Sequence, residues 1–191
     1  MTDTQEQQYI EQVLDGNVNA YEHLVNRHKG MVHTIAMRIV RNQEDAEEVT
    51  QDTFLKAFQK LSTFKGGSKF STWLYRITYN VAVSKTRKKQ LDTADMEDET
   101  LANLDLNSTS DTLDGLKKEE QKRYIDSAIE QLPEDQSLIL TLFYLNENSI
   151  EEIVEITKMT AGNVKVKLHR ARKKLLGLLE NMLHTEVRSL L

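Results

Sequence analysis

"DAEEVTQDTFLKAFQKLSTFKGGSKFSTWLYRITYN", Asp45 to Asn80, carries two helical stripes and the joint between them. Val49, Thr53, Ala57 and Leu61 recur every fourth residue, joined by Phe54 and Phe58, which is the spacing of one buried helix face. Beyond Lys65-Gly66-Gly67-Ser68 a second stripe begins with Trp73, Ile77 and Val81, flanked by Leu74, Thr78 and Ala82. Phe54, Phe58 and Trp73 are expected in a core. No segment alternates apolar and polar residues with period two, so strands are not expected.

The same periodicity extends outward. Tyr9, Val13, Ala20, Tyr21, Leu24 and Val25 precede it, then Val32, Ile35, Ala36, Ile39 and Val40, with breaks at Asp15-Gly16 and Arg41-Asn42-Gln43. The spacing predicts about four helices ending near Gln90. From Leu91 the pattern dissolves into an acidic run rich in Ser, Thr and Asn, which reads as a flexible linker with room for a transient helix near Ala94–Leu104. A stripe then resumes at Tyr124, Ala128, Ile129 and Leu132. Pro133, tolerated in a first helical turn, opens a helix from Glu134 to Leu145. The expected architecture is all-α: a helical domain over 1–90, an acidic linker over 91–118 and a second helical domain over 119–191.

Composition narrows the chemistry. The 191 residues contain no cysteine, which excludes disulfides, thiolate metal sites and a cysteine nucleophile. "MTDTQEQQYIEQVL" lacks a basic and an apolar leader region, and no apolar run approaches the ~18–20 residues that span a bilayer. A soluble, cytoplasmic protein without membrane insertion is expected. His23, His28, His33, His169 and His184 form no compact ligand spacing, and no phosphate loop or nucleophile motif occurs. No metal, no cofactor and no enzymatic activity are expected.

The net charge of -5 conceals a sorted distribution. Residues 1–60 carry -4, 61–91 carry +7 without a single acid, 92–120 carry -8, 121–157 carry -6 and 158–191 carry +6. Two basic blocks separated by acidic ones fit binding to a polyanion; a solvated basic helix surface is the blander alternative.

The second basic block lies in "SIEEIVEITKMTAGNVKVKLHRARKKLLGLL", Ser149 to Leu179. Ser149 and Glu152 have capping-box spacing, so a helix should start at Ile150 and end near Thr157. Thr160 can cap a second helix with an apolar stripe of Val164, Leu168, Ala171 and Leu175. Its polar side carries Lys165, Lys167, His169, Arg170, Arg172, Lys173 and Lys174. Two helices joined by about three residues, the second basic outside and apolar inside, describe a helix-turn-helix that reads the major groove. The pattern also fits an amphipathic hairpin with a basic surface.

Together, the Asp45–Asn80 stretch and "LPEDQSLILTLFYLNENSIEEIVEITKMTAGNVKVKLHRARKKLL" resemble bacterial RNA polymerase sigma factors of the extracytoplasmic-function class. That resemblance implies a dissociable subunit that addresses core polymerase to promoters, recognising a -10 and a -35 element and aiding strand opening. It implies that Asp45, Glu48, Val49, Gln51, Asp52 and Leu55 dock on the β′ clamp coiled coil, with a further contact to the β flap. Phe64, Lys65, Ser68, Lys69 and Phe70 would wall a pocket for an unstacked base. Arg76, Tyr79 and Asn80 would meet the strand, and Lys85, Arg87, Lys88 and Lys89 would follow its phosphates. Lys165, Val166, His169 and Arg170 would read bases in the -35 element, with Thr160, Gly162 and Asn163 nearer phosphate and Lys167 and Lys173 on the same face. An anti-sigma factor is a further implied partner. Two positions depart from the family pattern. Val166 replaces a small polar residue and could touch a thymine methyl. Lys158 stands where glycine is common, so it either adopts a left-handed backbone or the turn is shaped differently. A free-standing DNA-binding regulator would account for the C-terminal motif but leave the first domain unused.

Overall fold

The computed structural model describes residues 3–92 and 118–189. Among the described residues every regular element is helical. The acidic segment and its transient helix near Ala94–Leu104 lie outside the described residues. The chain divides into two compact units, the first gathering the N-terminal helices together with the segment Glu151–Lys158.

The first unit is built from α1 (Asp3–Leu14), α2 (Tyr21–Val40), α3 (Gln43–Lys60) and α4 (Phe70–Asp92), with short 3₁₀ turns at Val18–Ala20 and Leu61–Thr63. Each boundary has a local cause. Gly16 takes φ 99° after α1. Arg41 closes α2 in the left-handed region at φ 52°, donating its N–H to Met37 O at 3.0 Å. Asn42 then caps α3 by accepting from Asp45 N at 3.0 Å. α2, α3 and α4 pack on one another and α1 packs on α2. Leu24, Val32, Ile35, Val49, Ala57, Leu61 and Leu74 fill the space between them. Each large aliphatic side chain buried this way contributes about 1.5–3 kcal/mol of transfer free energy. The Tyr21 hydroxyl ties α2 to α3 by donating to Phe54 O at 2.7 Å. Trp73 and Phe54 are core residues as the periodicity predicts, but Phe58 is 38% exposed and rests edge-on against Tyr21. One apolar position too many on α3 faces outward. α7 (Ile150–Thr157) completes the unit, with Ile153 and Ile156 fully buried.

The second unit contains α5 (Lys118–Glu130), α6 (Glu134–Leu140) and α8 (Ala161–Ser189). Ile129, Leu132, Leu140 and Ala171 form its core, with Ile125, Leu175 and Leu178 packed against it. Pro133 supplies the N-cap of α6, as its position in the sequence suggests. The helix predicted to run to Leu145 instead changes pitch, because Thr141–Leu145 is π-helical. A π turn adds a residue per turn, which leaves Tyr144 and Leu145 exposed while Thr141 and Leu142 stay buried.

Candidate nucleic-acid interface

Between α3 and α4 the chain crosses the Gly-Gly joint. Gly66 takes φ 70°, a left-handed conformation that costs glycine nothing sterically. Nothing lies within 4 Å of where a Cβ would stand, so the requirement is conformational and not one of space. The joint turns the chain so that Phe64, Phe70 and Trp73 cluster. Phe64 meets Phe70 edge-on at 5.5 Å, and Trp73 lies 5.5 Å from Phe64 and 5.6 Å from Phe70. α4 then starts at Phe70, with Trp73 N donating to Lys69 O at 3.2 Å.

This loop roofs a cavity of about 480 Å³ against α1 and α2. Phe64, Ser68, Lys69 and Phe70 line it, whereas Lys65 is exposed outside it. Pattern reading missed its other wall: Glu6 and Ile10 of α1, Arg27 and His28 of α2, and Tyr75 of α4. Burial first, and the Glu6 charge second, push the Tyr75 hydroxyl up to about 12, so it is a neutral donor at physiological pH. One signal was visible beforehand: His28 falls on the buried stripe between Leu24 and Val32, a polar ring at a core position.

Several basic groups of the loop and α4 already hold carboxylates within the first unit. Lys69 Nζ lies 3.1 Å from Glu152 Oε1, which also accepts from Thr72 Oγ1 at 3.2 Å. Arg76 lies 3.2 Å from Glu155 Oε1, and Ser68 donates to the same oxygen at 3.4 Å. Lys85 bridges Asp45, at 3.1 Å, and Glu48 on α3. The hydrogen bond to Glu48 is the largest cause holding the Lys85 ammonium above its ordinary pKa. Asn80, Arg87 and Lys88 are exposed on α4, and Tyr79 is half-buried.

On α3, Glu48, Gln51 and Leu55 are exposed, Leu55 at 61%, and Asp45 and Asp52 are half-buried. Val49 differs: it is fully buried and supports this face from beneath.

In the second half, α7 ends at Thr157, and Lys158 adopts φ 62° with its N–H donating to Val154 O at 2.9 Å. The left-handed alternative is therefore the one realised. Lys158→Gly is expected to raise thermal stability by about 0.5–1 kcal/mol by relieving the Cβ clash; an unchanged or lower melting midpoint would contradict this. Thr160 Oγ1 accepts from Asn163 N at 3.2 Å and caps α8. Val164, Leu168 and Ala171 are buried, and Leu175 is half-buried. Lys165, Val166, His169 and Arg170 are exposed together with Gly162 and Asn163. Two basic residues are engaged elsewhere. Lys167 pairs with Asp135, and Arg172 sits 5.3 Å over both the Phe143 and Tyr144 rings, a cation–π arrangement. Lys173 is half-buried. Among the described residues no three His, Asp or Glu side chains gather as a metal site, and no helix is long and apolar enough to cross a membrane.

Comparison with known proteins assigns both halves. Residues 24–91 match the Sigma-70 region 2 family, and residues 122–175 match the Sigma-70 region 4 family. Over 173 residues the chain is 32% identical to the ECF RNA polymerase sigma factor SigW of Bacillus subtilis, covering 87% of this chain and 92% of that one. The chain belongs to the extracytoplasmic-function sigma factors. It is also 31% identical to the RNA polymerase sigma-H factor of Pseudomonas aeruginosa, covering 91% and 93% of the two chains. A sigma factor directs promoter-specific initiation as a subunit of RNA polymerase and is not itself an enzyme; the polymerase performs the phosphoryl chemistry. Solved structures agree on the fold. The sigma factor RpoE of Bartonella quintana, crystallised with the anti-sigma factor NepR, superimposes with a TM-score of 0.63 at 23% identity, covering 84% of this sigma factor and 96% of that chain. CnrH, solved with the cytosolic domain of CnrY, gives 0.61 at 23% identity, covering 91% and 96%.

Proposed function

We propose that this sigma factor divides its work among three surfaces. Residues 1–90 act as the region 2 domain, docking on polymerase and opening the -10 element. Residues 119–191 act as the region 4 domain, reading the -35 element, and 91–118 tether the two. The exposed cap and basic face of α8 carry this reading best. Thr160, Gly162 and Asn163 present a helix N-terminus suited to a phosphate, while Lys165, Val166, His169 and Arg170 are free to reach base edges. Val166, 48% exposed, is an apolar contact for a thymine methyl.

At the -10 element the loop cavity takes one unstacked base of the non-template strand. Phe64 and Phe70 supply the stacking wall, and Ser68 and Lys69 the rim. Arg76, Tyr79, Asn80, Lys85, Arg87 and Lys88 continue along the strand, with Lys65 at the loop. Phosphates arriving at Lys69, Arg76 and Lys85 replace the carboxylates of Glu152, Glu155, Asp45 and Glu48, so binding exchanges one set of ion pairs for another.

The α3 face of Asp45, Glu48, Gln51, Asp52 and Leu55 docks on the β′ clamp coiled coil, and the C-terminal unit meets the β flap. An exposed leucine rimmed by amide and acid has the composition of a polar-rimmed protein contact. The protein works in the cytoplasm on the nucleoid, and an anti-sigma factor restrains it, as the co-crystallised relative suggests. The test is promoter-specific RNA synthesis by purified core polymerase with and without the chain. Gln51→Ala combined with Asp52→Ala should weaken polymerase binding by about 1–2 kcal/mol while sparing duplex binding by α8. Equal polymerase affinity would remove this face from the interface, and strong duplex binding without transcripts would favour a regulator that acts alone.

A further inference from the structure

One lysine of α4 reaches across to the proposed docking face of α3. Residues 42–55 carry five acids and no base, so the start of α3 is strongly anionic. Asp45 and Glu48 stand three residues apart on one side of that helix, and Lys85 bridges them. Its Nζ lies 3.1 Å from Asp45 Oδ1 and donates to Glu48 Oε2. The Lys85 and Asp45 side chains are 22% and 20% exposed, whereas Glu48 is 65% exposed and open to a partner. The hydrogen bond to Glu48, the largest cause, keeps the Lys85 ammonium above its ordinary pKa, so it is charged at physiological pH.

An ammonium in this place acts twice on a partner arriving at α3. It already neutralises two of the carboxylates that the partner would pair, and it repels any cation brought towards them. A surface complementary to so acidic a helix must itself be basic. Once another protein covers them, Asp45 and Glu48 cannot stand unpaired, because a desolvated carboxylate without a partner is costly. They either keep Lys85 or take cations from the incoming surface. The surrounding acids favour the second course. A partner basic enough to match them meets Lys85 as a like charge, and its own cations gain both carboxylates once Lys85 has turned away.

We infer that Lys85 is an internal competitor of core polymerase. It holds Asp45 and Glu48 in the free chain, cations of the polymerase surface displace it on docking, and it thereby lowers the affinity with which this sigma factor is held. This rests on the docking reading of α3. Lys85 then acts on the interface with a sign opposite to that of Gln51 and Asp52: removing it strengthens the contact that they make.

The test measures the affinity of purified core polymerase for labelled full-length chain at one fixed, low salt concentration, with circular dichroism showing that each variant is folded. Lys85→Gln and Lys85→Met both drop the charge and keep most of the aliphatic stem. Each should bind core about two- to fivefold more tightly than wild type, the scale of one or two partly exposed ion pairs. Lys85→Arg, which keeps the charge and can bridge both acids, should bind as wild type does. In a chain carrying Asp45→Asn and Glu48→Gln, adding Lys85→Gln should bring little further gain, because no bridge is left to open. Unchanged or weaker binding by both uncharged variants overturns the inference, since it means that Lys85 stays in the interface or never opposed it. A gain that persists in full without the two acids overturns it as well. The Gln51→Ala, Asp52→Ala chain separates this failure from that of the docking reading. Wild-type affinity there removes the docking face itself, whereas weakened binding there without a gain from Lys85→Gln removes the competition alone.

Discussion

Lys165→Ala and Arg170→Ala are each expected to weaken binding to the upstream promoter element by about 1–3 kcal/mol and to relax preference at different base pairs. The two side chains are exposed on α8 and lie five residues apart, offset around the helix, so they reach separate bases. Their losses should then add within a few tenths of a kcal/mol in the double variant, up to about 6 kcal/mol in total. Lys167→Ala is the internal control. Its ammonium is held by Asp135, so removing it should affect DNA binding much less. Anisotropy titrations at one fixed salt concentration, on matched and scrambled duplexes, measure all four effects. Unchanged sequence preference in both single variants would take them off the reading face, whatever the loss in raw affinity.

Leu74→Ala is expected to destabilise the first unit by about 2–5 kcal/mol. Leu74 is fully buried on α4, where that helix packs against α2 and α3. The truncation leaves a void that neighbouring helices close only in part. Its neighbours in sequence are Trp73, whose ring packs at a tilt against the loop phenylalanines, and Tyr75, which lines the cavity. The core loss should therefore reach function: transcription at elevated temperature should fail before DNA binding by the isolated upstream duplex does. Denaturant titration gives the stability change, and a loss below about 1 kcal/mol would mean that the site collapses without a void.

Both expectations draw on features that were readable before any coordinates. The four-residue recurrence of Val49, Thr53 and Ala57 identified α3 because burial on one helix face leaves a periodic trace in the chain. Thr160 identified the start of α8, since few residue types can satisfy a free N–H there. Other features leave no such trace. Lys85 and Lys167 read as free cations, yet each pairs with an acid far away in sequence, and long-range pairing has no period. Glu6, 22 residues from His28, was hidden for the same reason. Phe58 was assigned to the core because hydrophobicity alone does not say which of two adjacent faces a helix buries. The π turn at Thr141–Leu145 was missed because its composition is that of an ordinary helix.

Gly66 has a practical consequence for anyone re-engineering this sigma factor. Because the bend of the loop is stored in one achiral residue, and its start and end are anchored by rings packed behind it, the outward side chains bear little of the shape. Lys65 can therefore be exchanged for tuning without rebuilding the scaffold, whereas exchanging Lys69 also removes its ion pair with Glu152. Gly66 itself cannot be replaced by a residue with a side chain without straining the backbone.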